Sequence, residues 1–387
     1  MATGLTSIEG RESLRAANLA VEELNARGGL RLGGRTLPVK LLSIDLEDNQ
    51  APLRVADVLT RLEAFIRSQP LHGLVVGPFR SEVLLPAMDI IARYKVPILE
   101  TIAMTSIMEA KVLADPRYRF VFRTGVNTKY FADLLINAMT FLNQRLGYTR
   151  VYIMNQDVAW ARSTAALMIK LYFDRKGWQI VGSEHFGYST TDFSAALERA
   201  ALQGAQVIVP IFDMPHSGEL AKQWKKMRSP AMLCGFISPM TGPGAWNTFD
   251  GQIAGALNVI CELGNVPSDR YPLAAAFYRA YAARYGKPIE SGHGPAPAYE
   301  AVYALAAAIE AAGSLDPEKI VTALKATNRV GVMGRLQFHP GQQALFGNDP
   351  SQAAVACLMQ WTRDGRRRIV YPPALAEGEI ELPTPAP

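Results

Sequence analysis

Alternation between short apolar runs and amphipathic stretches constrains the fold of this chain more than any other feature. The runs "LHGLVVG", "VPILET" and "AQVIVPIFD" are typical of buried strands. Each lies next to a stretch whose apolar residues recur every three or four positions, which is the helical period. Strands that alternate with helices predict βαβ units and a parallel sheet.

The alternation occurs in two series of similar length. The first includes a helix at about 11–27, a strand in "TLPVKLLSID" and a helix near 51–68. The second starts after "RFVFRTG" and ends at "AMLCGFIS". Two such series in 387 residues predict an α/β protein with two parallel-sheet lobes. The C-terminal part is less regular, with several helices, a strand in "IAGALNVICEL" and a hairpin around "TRDGRRR".

Composition excludes several classes of protein. Hydrophobic residues make up 49% of the chain and charged residues 19%, which is an ordinary globular balance. No run of about 18 apolar residues is long enough to span a membrane, and residues 1–15 lack the apolar core of a secretory signal. The net charge is +5 and the pI about 9.0, but no aromatic and basic stripe accompanies it, so nucleic-acid binding is not expected.

Motifs for catalysis or metal binding are absent from the sequence. It contains no G-x-S-x-G elbow, no phosphate-binding loop, no H-E-x-x-H and no G-x-G-x-x-G. The five histidines are scattered, and the three cysteines form no C-x-x-C pair and are expected to be buried thiols. The sequence therefore predicts a binding protein rather than an enzyme, with no cofactor and no metal.

The loops that follow the strands are the expected binding site, because ligands of open parallel sheets bind at the carboxyl ends of strands. Most of the candidate residues also have an ordinary structural interpretation. Ser81 could cap a helix whose N-terminus binds an anion. Trp160 could stack on a ligand or pack beneath its loop. The other candidates in these loops are Phe79, Arg80, Thr105, Phe212, Asp213 and Phe236.

Several segments, in order along nearly the whole chain, resemble one family. They are "GRESLRAANLAVEELNARGGL", "GLVVGPFRSEV", "VPILETIAMTS" and "GYSTTDFSAALERAALQGAQVIV", of which the last is the most specific, followed by "GRLQFHPGQQ". The family is that of the type I periplasmic solute-binding proteins of ABC transporters, in the branched-chain amino acid cluster.

The resemblance implies two Rossmann-like lobes joined by hinge strands, which close on a small ligand. It implies an N-terminal lobe of residues 1–122 and 251–329, and a C-terminal lobe of residues 123–250 and 330–387. It also implies a periplasmic location, a membrane permease of an ABC transporter as partner, and a monomer.

Roles at the site also follow from the resemblance. Ser81 matches a serine that binds the ligand carboxylate, and Ala103 and Thr105 match a pair that holds the same carboxylate and the ligand amine. Trp160 matches an aromatic position. Phe212 or Asp213 lies near a second one, with the spacing ambiguous by one residue, and Glu9 lies at the mouth of the first loop.

The ligand stays open between two classes at this point. Phe236 stands near a position that is acidic in amino acid binders, so an ammonium partner is missing unless Asp213 supplies it. An aromatic or hydrophobic carboxylate therefore competes with a hydrophobic amino acid, because an unpaired buried charge is costly. A cytoplasmic sensor of the same fold, which acts through a partner protein, is the alternative function.

The opening "MATGLTSIEG" is predicted to be a ligand-facing loop around Gly4 and Gly10. By the resemblance such a loop follows the first strand of the first lobe. A first strand, and a signal sequence before it, are therefore expected upstream of Met1.

Overall fold

The computed structural model describes residues 8–48 and 54–382. Residues 1–7 of the predicted opening loop, including Gly4, lie outside the described residues, whereas Gly10 lies in the first turn of the helix Ile8–Ala26 rather than in a loop. The helices of the described residues are α1 Ile8–Ala26, α2 Val55–Ser68, α3 Ser81–Tyr94, α4 Ile107–Ala114, α5 Thr128–Leu146, α6 Ala159–Leu171, α7 Ser194–Leu202, α8 Glu219–Lys226, α9 Ala245–Thr248, α10 Pro272–Tyr285, α11 Pro295–Ala312 and α12 Pro317–Lys325.

The strands alternate with these helices over most of the chain. They are β1 Leu30–Leu32, β2 Arg35–Leu37, β3 Leu74–Val76, β4 Ile98–Glu100, β5 Val121–Arg123, β6 Arg150–Gln156, β7 Gln179–Phe186, β8 Val207–Phe212, β9 Met232–Ile237, β10 Leu257–Ile260, β11 Asn328–Gly331, β12 Gly334–Gln337, β13 Phe346–Gly347, β14 Ala354–Val355, β15 Cys357–Trp361 and β16 Arg367–Tyr371.

Two main sheets confirm the predicted pair of parallel-sheet lobes. The smaller has the order β3-β4-β5, all parallel. The larger has the order β16-β15-β10-β9-β8-β6-β7. Its strands β6 to β10 are parallel, whereas β15 and β16 are antiparallel neighbours at one edge. The late hairpin predicted around "TRDGRRR" is the β15–β16 pair.

Buried strands with helices on both faces explain why the sequence shows continuous apolar runs. In β8, Val207, Val209 and Ile211 pack into one core. Ile208 and Phe212 pack into another core on the opposite face of the sheet. A third core covers the smaller sheet with α2, α3, α11 and α12. Each face of each strand is therefore defined by the alternation of its side chains.

The prediction of a strand in "TLPVKLLSID" is wrong for most of the segment. Only Arg35–Leu37 is a strand, paired with Leu30–Leu32 in a small hairpin. Residues 38–44 have no regular secondary structure. They form no ladder with the described residues, and an extended segment without a hydrogen-bonded neighbour is not a strand.

Two segments lie across the predicted lobe boundaries. Leu257–Ile260, expected with the first lobe, pairs with β9 and β15 of the larger sheet. Leu336 and Ala344, expected with the second lobe, are buried in the core of the smaller sheet. The strand pairing of the first segment and the apolar contacts of the second determine these positions. The remaining limits of the lobes stay a prediction.

The three cysteines are buried and free, as predicted. Burial raises the pKa of the Cys234, Cys261 and Cys357 thiols because the thiolate loses its hydration. In the parts of the chain that the structure describes, no helix is long and apolar enough to cross a membrane.

Candidate functional site

A cavity of about 850 Å³ lies between the smaller sheet and the larger one. Its walls come from the loops after β3, β4, β6, β8 and β9, at the carboxyl ends of these parallel strands, where the sequence predicts the binding site. Eight of the ten predicted site residues line it. They are Glu9, Phe79, Arg80, Ser81, Thr105, Trp160, Asp213 and Phe236.

Phe212 does not line the cavity. Its side chain is fully buried, with ring centroids 5.9 Å from Phe186 and 5.7 Å from Phe193. Since successive side chains of a strand point to opposite faces, the next residue, Asp213, faces the cavity instead. Of the two residues that the sequence left ambiguous, Asp213 is the one that lines the cavity.

Ala103 does not line the cavity either, and its backbone N–H is already used. It donates to Oε1 of Glu100 at 3.0 Å, as do Thr101 at 2.9 Å and Ile102 at 2.8 Å. Burial raises the pKa of Glu100 to about 7 against these three hydrogen bonds. A ligand carboxylate cannot use the Ala103 N–H while the carboxylate of Glu100 holds it.

Glu100 also explains Gly77 in the loop after β3. Gly77 has a φ of +73°, and a Cβ there would collide with the Glu100 carboxylate. Both the left-handed backbone and the close approach require glycine. The loop that leads to Ser81 therefore depends on a carboxylate that sequence reasoning did not select.

Ser81 is the first residue of α3 rather than its cap. Arg80 occupies the capping position, and its side chain makes no capping hydrogen bond. The carboxylate of Asp48 instead accepts hydrogen bonds from the backbone just before the helix. Its Oδ2 accepts N–H bonds from Phe79 at 2.6 Å and Arg80 at 3.2 Å. The first N–H groups of a helix have no acceptor within it, and Ser81 and Glu82, which open α3, both line the cavity.

Thr105 is held by a buried ion pair. Its carbonyl accepts a hydrogen bond from Nη2 of Arg123 at 2.7 Å. Nη1 of Arg123 lies 3.1 Å from Oε1 of Glu109 and 3.1 Å from Oε1 of Gln343. Arg123 is fully buried and belongs to β5, the last strand before the chain enters the larger sheet. The Thr105 loop is thereby anchored where the chain passes between the sheets.

An aromatic wall forms one side of the cavity. Phe131, Trp160 and Phe236 make edge-to-face contacts with centroid distances of 5.3, 6.0 and 6.2 Å, an arrangement that aromatic rings favour. Phe131 is a third member that the sequence did not indicate, because it lies within α5 rather than in a loop after a strand.

Two polar contacts join residues on opposite walls of the cavity. Nη1 of Arg80 lies 3.8 Å from Oδ2 of Asp213, which also accepts a hydrogen bond from Nε1 of Trp160 at 3.1 Å. The hydroxyl of Ser238 donates to Oε1 of Glu9 at 2.9 Å. Burial raises the pKa of Asp213, and the charge of Arg80 opposes this shift.

His293 also lines the cavity and was not among the predicted residues. Its Nδ1 lies 2.8 Å from Oε1 of Glu262, and its Nε2 lies 2.9 Å from the carbonyl oxygen of Ile102. Burial, the largest influence, disfavours the charged ring, but Glu262, the Ile102 carbonyl and Glu9 together raise the pKa of His293 to about 9. Both nitrogens face acceptors, an arrangement that favours the protonated ring.

Residues 8–48 and 54–382 contain no group of three or more His, Cys, Asp or Glu side chains that could hold a metal ion. What the cavity provides is hydrogen-bond donors at a helix start, three carboxylates and an aromatic wall. Such groups are suited to a ligand with a small polar head and an apolar body.

The family model described as "Periplasmic binding protein" matches residues 1–365. This chain belongs to the periplasmic binding protein family. Curated relatives of this periplasmic binding protein include "Leu/Ile/Val-binding protein homolog 8" of Brucella abortus, 23% identical over 96% of this chain and 88% of the relative. "Leu/Ile/Val-binding protein homolog 7" of Brucella suis is 23% identical over 98% of this chain and 92% of the relative.

Solved structures share the fold over nearly the whole length. A putative branched-chain amino acid ABC transporter protein from Silicibacter pomeroyi superposes with a TM-score of 0.84 at 19% identity, covering 99% of this periplasmic binding protein and 97% of that chain. The substrate-binding protein LivJ of Streptococcus pneumoniae, in complex with isoleucine, gives 0.74 at 19% identity, with 96% and 97% covered.

A third similar structure contains a different ligand. The solute-binding protein of an ABC transporter from R. palustris, in complex with benzoate, gives a TM-score of 0.74 at 18% identity, with 98% and 95% covered. The family and these relatives are binding proteins of transporters rather than enzymes, which confirms the sequence prediction. The two-lobed type I periplasmic binding protein fold is likewise confirmed.

Proposed function

We propose that this protein is the extracytoplasmic receptor of an ABC importer and encloses a hydrophobic α-amino acid between its two lobes. The observation that carries this proposal is the position of Asp213, a carboxylate at the edge of the aromatic wall. Sequence reasoning had left the ammonium partner in doubt, and Asp213 supplies one.

The carboxylate of the ligand binds at the start of α3. The N-terminus of a helix carries a partial positive charge and free N–H groups, and Ser81 adds a hydroxyl. Thr105 faces the same cavity from the loop after β4, and Arg80 adds a cation beside it.

The ammonium binds to Asp213, and Glu9 lies close enough to influence the same group. The 3.8 Å separation between Arg80 and Asp213 is too long for a hydrogen bond, so Asp213 keeps the capacity to accept one from the ligand. The apolar side chain packs on Phe131, Trp160 and Phe236.

A hydrophobic acid without an ammonium is the second candidate. Arg80 offers the Asp213 carboxylate a partner inside the protein, so a ligand need not neutralise it. The benzoate complex of the R. palustris relative shows that proteins of this fold can hold such a ligand. The membrane permease, a periplasmic location and a monomeric state remain part of the proposal.

Calorimetric titration separates the two candidates. Leucine, phenylalanine and benzoate are titrated into the native protein, into Asp213→Asn and into Asp174→Asn, which alters an exposed aspartate outside the cavity. We expect Asp213→Asn to weaken amino acid binding by about 1.5–3 kcal/mol, the usual worth of a hydrogen bond to a charged group, and Asp174→Asn to change nothing.

Tight binding of benzoate that Asp213→Asn leaves intact, together with no binding of amino acids, would replace the first candidate by the second. Binding of none of these three compounds would contradict both ligand candidates.

A further inference from the structure

The cavity is elongated along one face of α6. Trp160, Ser163, Leu167 and Lys170 all line it, and their spacing of three or four positions places them on a single helix face. Ten residues separate the first from the last, which corresponds to about 15 Å at 1.5 Å per residue. The head-group site lies at the Trp160 end, because Trp160 donates to Asp213.

The volume agrees with this length. A cavity of about 850 Å³ is in the upper part of the range of about 300–1,000 Å³ that accommodates drug-sized ligands. A free amino acid such as leucine occupies only the end that contains Asp213, Ser81 and the aromatic wall. The remainder extends towards the far end of α6.

The outer part of the cavity is apolar although it is open to solvent. Ile107 of α4 is 56% exposed and Tyr188, which follows β7, is 62% exposed, and both line the cavity together with Leu167 of α6. Large exposed apolar side chains that border one cavity indicate a surface that a ligand covers. They offer contacts to an apolar chain, not to water.

Lys170 is a cation at the far end of this apolar stretch. Among the residues that the structure describes, its ammonium has no ion-pair or hydrogen-bond partner. The other charged side chains that line the cavity are Glu9, Arg80, Glu82, Asp213 and His293. Asp213 and Arg80 contact each other at the head-group end, and His293 is paired with Glu262, which leaves Lys170 available for an acidic group.

We propose that the natural ligand is an α-amino acid with a long, linear, apolar side chain that ends in an acidic group. The inference rests on the proposed function, since the amino acid head binds at Asp213 and Ser81. The side chain runs between α4 and α6 over Ile107 and Leu167, and its terminal acid pairs with Lys170.

Three matched compounds test this by calorimetric titration. Norleucine carries a short apolar side chain, 2-aminooctanoate extends it by two methylenes, and 2-aminosuberate has the same eight carbons with a terminal carboxylate. We expect 2-aminooctanoate to bind about tenfold more tightly than norleucine, because each buried methylene contributes about 0.8 kcal/mol. We expect 2-aminosuberate to gain about a further threefold from an ion pair at a partly exposed lysine.

The preference for the terminal acid is then measured in Lys170→Met and in Lys176→Met, which changes an exposed lysine outside the cavity. Lys170→Met should make 2-aminosuberate and 2-aminooctanoate bind equally well or favour the uncharged compound, whereas Lys176→Met should keep the native ratio.

Two results would overturn the inference while the proposed function stands. One is an affinity that falls from norleucine to 2-aminooctanoate. The other is a ratio of the two eight-carbon compounds that Lys170→Met leaves unchanged. Failure of all three compounds, together with leucine, phenylalanine and benzoate, would overturn the inference and the proposed function together.

Discussion

The contacts of His293 with Glu262 and the Ile102 carbonyl should make the stability of the protein depend on pH. Replacement of His293 by glutamine should remove this dependence. In the native protein the His293 ring bridges Glu262, which follows β10 of the larger sheet, and the Ile102 carbonyl, which follows β4 of the smaller sheet. His293→Gln keeps a hydrogen-bonding side chain of similar reach but removes the titrating charge.

The magnitude follows from the pKa. The folded protein raises the pKa of His293 from 6.5 to about 9, so the folded state binds the proton more tightly than the unfolded state does. This stabilisation is complete below pH 6.5 and is lost as the pH rises through about 9. A difference of about 2.5 pH units at 1.36 kcal/mol each corresponds to about 3 kcal/mol.

Urea unfolding at about pH 6 and about pH 9.5 measures the effect. We expect the native protein to lose about 3 kcal/mol more than His293→Gln between the two conditions. Other groups titrate in both proteins and cancel in this difference. His72→Gln, at an exposed histidine, should follow the native curve. Parallel pH profiles for the native protein and His293→Gln would refute the bridging role.

Three further substitutions test the anchoring and the orientation of the site. Arg123→Met leaves the Glu109 carboxylate buried without its cation, and we expect a loss of about 3–5 kcal/mol in urea unfolding, against no resolvable change for Arg117→Met at a side chain that is 71% exposed. Phe212→Ala should cost about 3–5 kcal/mol of stability without changing ligand affinity, whereas Phe236→Ala should weaken ligand binding. Equal losses of affinity, measured where both variants are folded, would contradict the assignment of their faces.

The alternation of strands and helices was sufficient to predict the two sheets and the edge where the cavity lies. It could not place side chains whose position depends on distant parts of the chain. Asp48 caps the backbone of Phe79 from 31 residues away, and Glu262 accepts the N–H of Val126 from 136 residues away. The periodicity of apolar residues within a helix or strand contains no information about such long-range contacts.

The positions of Phe212 and Ala103 outside the cavity show the same limit of sequence analysis at shorter range. A shift of one residue in a strand exchanges its two faces, so the sequence could not choose between Phe212 and Asp213. Ala103 was expected at the ligand because the resemblance places a ligand-binding backbone group at that position, but in this chain Glu100 accepts the hydrogen bond from the Ala103 N–H. A pattern of residue types does not show whether a backbone N–H donates to a side chain of the protein or to a bound ligand.

The burial of all three thiols has a practical consequence for measuring movement in this protein. Maleimides react with accessible thiolates, and the three native side chains offer neither access nor a low pKa. A pair of fluorophores can therefore be attached to introduced cysteines with the native cysteines left in place. Suitable exposed positions are Leu113→Cys on α4, beside the smaller sheet, and Leu202→Cys on α7, beside the larger sheet. The distance between the two halves during ligand binding then becomes a fluorescence signal in an otherwise unaltered core.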